Sequence, residues 1–327
     1  VSRYKGNAFS SAYDIDVEAS KSLVNYYGFK DIAESSMGLL RSSPKYLFIA
    51  SNHASHTDYA IEAMQLKIKN IHVEKPLSTS YEQFVNLVAA INYHSPKICV
   101  GYNRPYAGAI LELKKIMMPE VGASEAFTLN HYISGHQIPA DHWYRNASEG
   151  TRVCGNMGHW IDLSIHILAW RSIPSVFNIS IVYANLNEPD DNICVNLTTD
   201  EGDLISIVLT ARSEPFEGIN ESINVQYSDT IAKIDDFRRM VAWKGEKKIK
   251  RRYYPKDVGH KLAVEQIFKK EDEVRDWDEV MLSTLMMLKI SEMVVSTATD
   301  YTFVVGEELN RLHKDTETIS SSSSSTK

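Results

Sequence analysis

The sequence predicts an α/β protein in two parts. A doubly wound parallel sheet, incomplete at its N-terminal end, is followed by an α+β domain built on a large, mostly antiparallel open sheet. Three observations point there. Short apolar runs alternate with segments of helical period over the first hundred residues, the pattern of βαβ units. From about residue 124 onward, strand-like segments succeed one another through turns rich in Asn, Asp and Gly, the pattern of an antiparallel sheet. The chain of 327 residues also exceeds what one core usually holds, since single cores stop growing near roughly 250 to 300 residues.

In chain order, "NAFSSAYDID" reads as a strand ending at Asp14 and Asp16, and "VEASKSLVNYYGF" as the helix after it. The next strands are "YLFIA" (46–50), "IHV" (71–73) and "KICVGY" (97–102), joined by the helices "HTDYAIEAMQLKI" and "STSYEQFVNLVAAI". The second sheet is expected from "EAFTLNHYIS", "VFNISIVYA", "NICVNLTT", "DLISIVLTA", "ESINVQYS" and "TIAKIDDF". The helix "GHWIDLSIHILAW" (158–170) interrupts these strands, and helices at about 259–270 and 276–296 follow them. The predicted boundaries are 1–105, 106–315 and, for a low-complexity Ser-rich tail without fixed structure, 316–327.

Ligands of an open parallel sheet sit beyond the carboxyl ends of its strands. That rule gathers at one crevice Asn52, His53 and His56, then Glu74, Lys75 and Pro76, then Asn103 and Arg104. Asp14 ends a strand where an acid would meet the ribose of a dinucleotide. The glycine-rich turn that precedes such an acid by about 20 residues is missing: Asp14 has 13 residues before it, and no G-x-G-x-x-G occurs. A parallel sheet without its central strand bares apolar faces and unpaired edges. The favoured reading therefore puts the first βα unit upstream of Val1; the other is a fold that has lost its phosphate cradle.

On the 158–170 helix, His159, Asp162 and His166 share one face while Ile161, Ile165 and Leu168 share another. A polar stripe on so apolar a helix is costly unless it meets a polar cavity, and a histidine there suits proton transfer near neutral pH. Asp141, His142 and Trp143 fall in a loop. A Trp beside polar groups can carry a sugar ring, although simple packing is its commoner use.

Five segments in register, "IASNHASHTDYAIEAM" (49–64), "HVEKPLS" (72–78), "VGYNRPY" (100–106), "IPADHW" (138–143) and "GTRVCGNMGHWIDL" (150–163), resemble the Gfo/Idh/MocA oxidoreductases. "IDDFRRM" (234–240) is similar to a branch whose reductase half is fused to a zinc-type alcohol dehydrogenase domain. The resemblance implies a Rossmann-like first domain, a bound NAD or NADP, and hydride transfer at a hydroxyl or keto carbon of a sugar, polyol or sugar nucleotide. NAD is favoured because the Asp14 carboxylate would repel a 2′-phosphate. It further implies that Lys75 hydrogen-bonds the reacting oxygen and the nicotinamide ribose, that His159 acts from the substrate side with Asp162 beside it, and that Asn103 and Arg104 touch cofactor or substrate. Two departures matter. Family members place an acid four or three residues before the histidine, where this chain has Gly155 and Asn156. An amide cannot accept and return a proton, so Asn156 is left as a substrate contact. Catalysis would rest on Lys75 and His159, or be lost in a non-catalytic binding relative.

The formal charge of −7 argues against nucleic acid or an anionic membrane as partner. The basic run "KGEKKIKRR" (244–252) reads as a sheet edge guarded by charge. Cys99, Cys154 and Cys194 have no paired spacing, and no histidine pair shows zinc-site spacing, so neither a disulfide framework nor a metal is expected. Without a signal pattern or an apolar run near the roughly 20 residues of a membrane helix, a cytoplasmic protein is expected. An uncovered sheet face predicts a homo-oligomer.

Overall fold

A computed structural model describes residues 11–117 and 125–324. Residues 7–10 of the first predicted strand and residues 325–327 of the predicted tail lie outside them. Two short parallel strands, β1 (Ser11–Ala12) and β2 (Asp31–Ile32), flank helix α1 (Val17–Tyr27). The Asp16 carboxylate accepts from the Glu18 amide at 2.9 Å and starts α1, and Gly28, at φ +75°, ends it. The first satisfies an orphan helix donor, and the second takes a backbone conformation that costs glycine no Cβ clash.

After helix α2 (Ser36–Arg41), three parallel strands pair in chain order: β3 (Leu47–Ile49), β4 (Asn70–Val73) and β5 (Lys97–Val100). Their register sets Leu47 against Ile71 and Ile71 against Ile98. The crossovers are α3 (His56–Gln65) and α4 (Tyr81–His94). Ser80 caps α4 by accepting from the Gln83 amide at 3.2 Å, which turns Phe84, Leu87 and Val88 into the core. Among the described residues, no ladder joins β1 and β2 to β3–β5.

Helix α5 (Gly108–Met117) leads into a nine-stranded sheet. Its strands are β6 (Thr128–Ser134), β7 (Val176–Tyr183), β8 (Asn192–Thr199), β9 (Leu204–Thr210), β10 (Asn220–Tyr227), β11 (Thr230–Asp235), β12 (Arg239–Lys244), β13 (Lys247–Arg252) and β14 (Asp300–Val304). The spatial order is β13-β12-β11-β10-β6-β9-β8-β7-β14, antiparallel except for the pair β6 and β9. Alternation decides the faces: Leu129, Ile133, Val195, Ile207 and Ile223 point inward and are buried, while Asn130, Asn196, Ser206 and Asn224 point outward. Each buried Ile or Leu contributes roughly 1.5 to 3 kcal/mol. His131, on the inner face, gives Nε2 to Ser164 Oγ at 3.0 Å, and burial pushes its pKa down to about 3, so it is accommodated as a neutral ring.

Helices α6 (Gly158–Leu168) and α8 (Trp277–Ser296) cover that inner face. A short α7 (His260–Glu265) lies between sheet and α8 in the chain. The last helix, α9 (Val305–Ser324), corrects the expectation of a tail without structure from residue 316. It packs on α4, with Leu312 and Thr316 buried, the Arg311 guanidinium 4.2 Å over the Tyr81 ring, and Tyr81 Oη donating to Asp315 at 2.9 Å. The serine run propagates a helix whose apolar stripe is already docked. No helix among the described residues is long and apolar enough to cross a membrane.

Candidate active site

The carboxyl ends of β3, β4 and β5 open toward the start of α6. Lys75 stands at the end of β4, half-buried, and its Nζ donates to the Gly155 carbonyl at 2.7 Å. No carboxylate among the described residues lies within ion-pairing distance of it. Burial lowers the lysine pKa to about 8; Glu74 opposes that shift and Arg104 adds to it. Gly155 belongs to a π-helical turn, Val153–Met157, that runs straight into α6. Such turns concentrate at functional sites.

His159, in the first turn of α6, is 8 % exposed and makes no hydrogen bond. Its Nδ1 is buried without a partner, and its ring lies 6.3 Å from Tyr102 and 6.1 Å from Trp160. Burial holds its pKa well below the ordinary value, helped by the positive charges of Arg104, Lys75 and His260. The imidazole is neutral and faces a field of cations. An unpaired, buried ring nitrogen costs free energy unless a ligand completes it.

Several residues expected at the crevice are committed elsewhere. Arg104 pairs with Glu221 through Nη2 at 2.7 Å and Nε at 3.2 Å, and its Nη1 donates to Asn103 Oδ1 at 2.8 Å. Asn103 spends its amide on the Val258 carbonyl at 2.7 Å. Asp162 is 0 % exposed, with both oxygens on Arg275 Nη1 at 2.7 and 2.8 Å. His166 meets Glu279 at 2.8 Å, so Asp162 and His166 of the α6 stripe face α8 and its approach, not a cavity. His56 directs its two ring nitrogens at the Pro76 and Ser51 carbonyls, at 2.7 and 2.9 Å, tying the β3 and β4 ends together. Asn156 accepts from Arg152 Nε at 3.3 Å. These residues build the walls of the site rather than its contents.

The loop carrying Asp141, His142 and Trp143 closes one side. Asp141 and His142 are exposed, and Trp143 is 42 % exposed with its ring 5.0 Å from that of His53. His53 itself is buried, gives a ring nitrogen to the Glu149 carbonyl at 3.2 Å, and has its pKa lowered to about 4 by burial and by Lys75. Asn52 donates to Glu149 Oε1 at 2.6 Å and the Ala54 amide to Oε2 at 3.1 Å, stapling this loop to the β3 end. Arg145 and Arg152 both pair with Asp191, at 2.8 and 3.0 Å, which fixes the loop from the other side. Glu74 stays half-exposed beside Lys75, and Asp14 is exposed beyond β1.

Tyr144 was not foreseen. Its hydroxyl donates to the same Gly155 carbonyl as Lys75, at 2.8 Å, and its ring lies 4.6 Å from His53. A Cβ at Gly155 would come within 2.2 Å of that ring, so only glycine admits it. The glycine itself, standing where an acid was expected, was the available signal. Gly259 is a second such contact: at φ +89°, with an added Cβ 2.1 Å from the Asn103 carbonyl, it lets the chain after β13 close against the crevice wall.

Residues 2–102 match the profile of the Gfo/Idh/MocA oxidoreductase family, NAD-binding Rossmann fold. That likeness lies in the first, parallel-sheet part of the chain. No curated protein sequence matches the chain. Solved structures share the whole two-domain fold. A levoglucosan dehydrogenase in complex with NADH and levoglucosan superposes with a TM-score of 0.72 at 14% identity, covering 90% of each chain. An oxidoreductase from Thermotoga maritima gives 0.73 at 14% identity over 92% of this chain and 94% of that one. GenD2 from gentamicin A biosynthesis, in complex with NAD, gives 0.73 at 14% identity over 90% and 88%.

The residues present fit a nicotinamide-dependent site in two respects: Lys75 has no carboxylate partner, and its charge acts on the neighbouring His159, whose Nδ1 is buried without a hydrogen bond. Among the described residues no glycine-rich turn joins a parallel strand to a helix at that crevice, and no group of His, Cys, Asp or Glu is placed to hold a metal.

Proposed function

We propose that the protein is an NAD(P)-dependent oxidoreductase that interconverts a hydroxyl and a keto group on a sugar, polyol or sugar nucleotide. The observation that carries this reading is Lys75: a half-buried ammonium without a carboxylate, at the end of a central parallel strand, with a pKa of about 8. A lysine so poised can hold a carbonyl oxygen when charged and accept a hydroxyl proton when neutral. NAD(P), when bound, supplies the hydride acceptor or donor. Asp14 would meet its adenosine ribose, and Asn52, His53, Glu74 and Lys75 would line the path toward the nicotinamide. His159 supplies a neutral imidazole to the substrate side, and Trp143 a partly exposed face for a sugar ring. Asp14 favours NAD over NADP by charge.

NADH fluorescence titration, followed by a panel of sugars, polyols and their keto forms, tests the reading. Saturable NADH binding, with turnover lost in Lys75→Ala and His159→Ala, is the expected result. Absence of NADH binding would defeat it. A non-catalytic relative has one observation in its favour, since Lys75 is bonded to the protein's own carbonyl. Tight NADH binding without turnover on any panel member would support that second reading. We further propose that the outer face of the nine-stranded sheet seats a second copy of the chain, which a monomeric mass at micromolar concentration would contradict.

A further inference from the structure

We propose that Tyr144 is a catalytic residue: its hydroxyl and the Lys75 ammonium together hold the substrate oxygen that reacts, and the Gly155 carbonyl stands in for that oxygen in the free protein. This deepens the oxidoreductase reading and rests on it. The two donors approach one oxygen atom from different elements, the strand end and the loop, at 2.7 and 2.8 Å, and neither donates elsewhere. An oxygen held by a cation and a neutral O–H is the arrangement that steadies a developing alkoxide.

The phenol is not there by loose packing. It fills the space of the side chain that Gly155 lacks, with its ring and hydroxyl 2.2 to 2.4 Å from where a Cβ would be, and its ring abuts His53 at 4.6 Å. Arg145 and Asp191 pin the next residue of the loop at 2.8 Å, so the hydroxyl is aimed by a braced backbone. His159 lies near enough for the Lys75 charge to act on its ring, and its Nδ1 is buried without a partner. Burial raises the Tyr144 pKa above its ordinary value, so the phenol keeps its proton and acts as a donor, while Lys75 carries the proton exchange. In oxidation the neutral Lys75 amine would take the substrate O–H proton, and NAD(P), when bound, would supply the acceptor for the hydride released from the same carbon. The new carbonyl oxygen remains bonded to Tyr144. Reduction is the reverse.

The test uses the full chain and D-gluconate, whose carboxylate oxygen would compete with the Gly155 carbonyl for the two donors. Gluconate is titrated by calorimetry, alone and with NADH, into wild type, Tyr144→Phe and Gly155→Ala, and NADH is titrated separately by fluorescence. Thermal melts confirm folding of each variant. Tyr144→Phe keeps the ring and removes only the donor, and is expected to weaken gluconate about tenfold with NADH affinity unchanged. Gly155→Ala expels the phenol from the other side and is expected to do the same with Tyr144 intact. Wild-type gluconate binding is further expected to fall above pH 8 as Lys75 loses its proton, and Tyr144→Phe is expected to keep that pH profile at lower affinity because it leaves Lys75 in place. Equal gluconate affinity in wild type and Tyr144→Phe, or no gluconate binding by wild type, overturns the proposal. If no variant binds NADH while gluconate binding still depends on Tyr144, the two-donor site stands and the oxidoreductase reading falls.

Discussion

The Lys75 ammonium and the Tyr144 hydroxyl meet on a single atom, the Gly155 carbonyl oxygen, at 2.7 and 2.8 Å. That meeting joins the end of β4, the loop before the π-helical turn and the start of α6. It leaves the lysine with a neutral acceptor and no carboxylate within ion-pairing distance, an arrangement that serves an incoming oxygen better than it serves stability.

The cost should be measurable. Folding lowers the Lys75 pKa from 10.5 to about 8, mainly through burial. Between those values the unfolded chain holds a proton that the folded chain has released, so stability rises with pH across that window and the penalty is full below it. Lys75→Met, which keeps the stem and removes the charge, is expected to melt higher than wild type at pH 7, with the difference closing as pH approaches 10.5. Paired thermal melts from pH 6 to 10.5 check this. A variant that melts lower at every pH would contradict it.

Arg104 and Glu221 form a buried pair, and Trp160 Nε1 adds a third bond to Glu221 at 2.6 Å. Removing one charge strands the other, which costs about 3 to 5 kcal/mol. Arg104→Met and Glu221→Leu should each lower the urea midpoint strongly. Arg104→Met with Glu221→Leu should recover most of the loss, but not all, because the Trp160 N–H is left without an acceptor. Strict additivity of the two single losses would show that the pair is not coupled.

His53 sets an acid limit. Its pKa falls from 6.5 to about 4 on folding, first through burial and then through Lys75. For a histidine with a lowered folded pKa, the unfolded chain takes the proton first, so stability is lost as pH falls from 6.5 toward 4. The expected loss over that range is about 2 to 3 kcal/mol. His53→Gln should flatten the acid limb of a plot of urea midpoint against pH, and an unchanged limb would assign the acid sensitivity to other groups.

How far the sequence could be read depended on the range of each interaction. The β3, β4 and β5 strands and their helices were legible because strand runs, caps and helical period are local signals, and Lys75 was legible because it follows a strand end directly. Arg104, Asn103 and Asp162 looked like ligands because a polar residue in apolar surroundings announces a need without naming the partner. Their partners lie far along the chain: Glu221 is 117 residues from Arg104, Arg275 is 113 from Asp162, and Val258 is 155 from Asn103. Tyr144 escaped because its contact with Gly155 depends on the path of a braced loop. The tail was misread because the serine run masked Leu309, Leu312, Thr316 and Ile319, which recur at helical spacing.

That last misreading leads to a test by truncation. Helix α9 covers α4, and α4 covers the parallel sheet whose strand end carries Lys75. Removing residues 311–327 takes away buried Leu312, the Arg311 cation over the Tyr81 ring and the Tyr81–Asp315 hydrogen bond. Burial of the leucine is worth roughly 1.5 to 3 kcal/mol, the cation–π contact about 0.5 to 1, and the hydrogen bond about 1. The expected loss is therefore on the order of 3 to 5 kcal/mol. Removing only residues 321–327 leaves all three contacts in place and is expected to cost less than about 0.5 kcal/mol. Urea denaturation of the two truncations separates the cases. Equal stabilities would mean that the helix is not docked on α4; a large loss confined to the longer truncation would make the C-terminal helix part of the first domain's core, although it lies last in the chain.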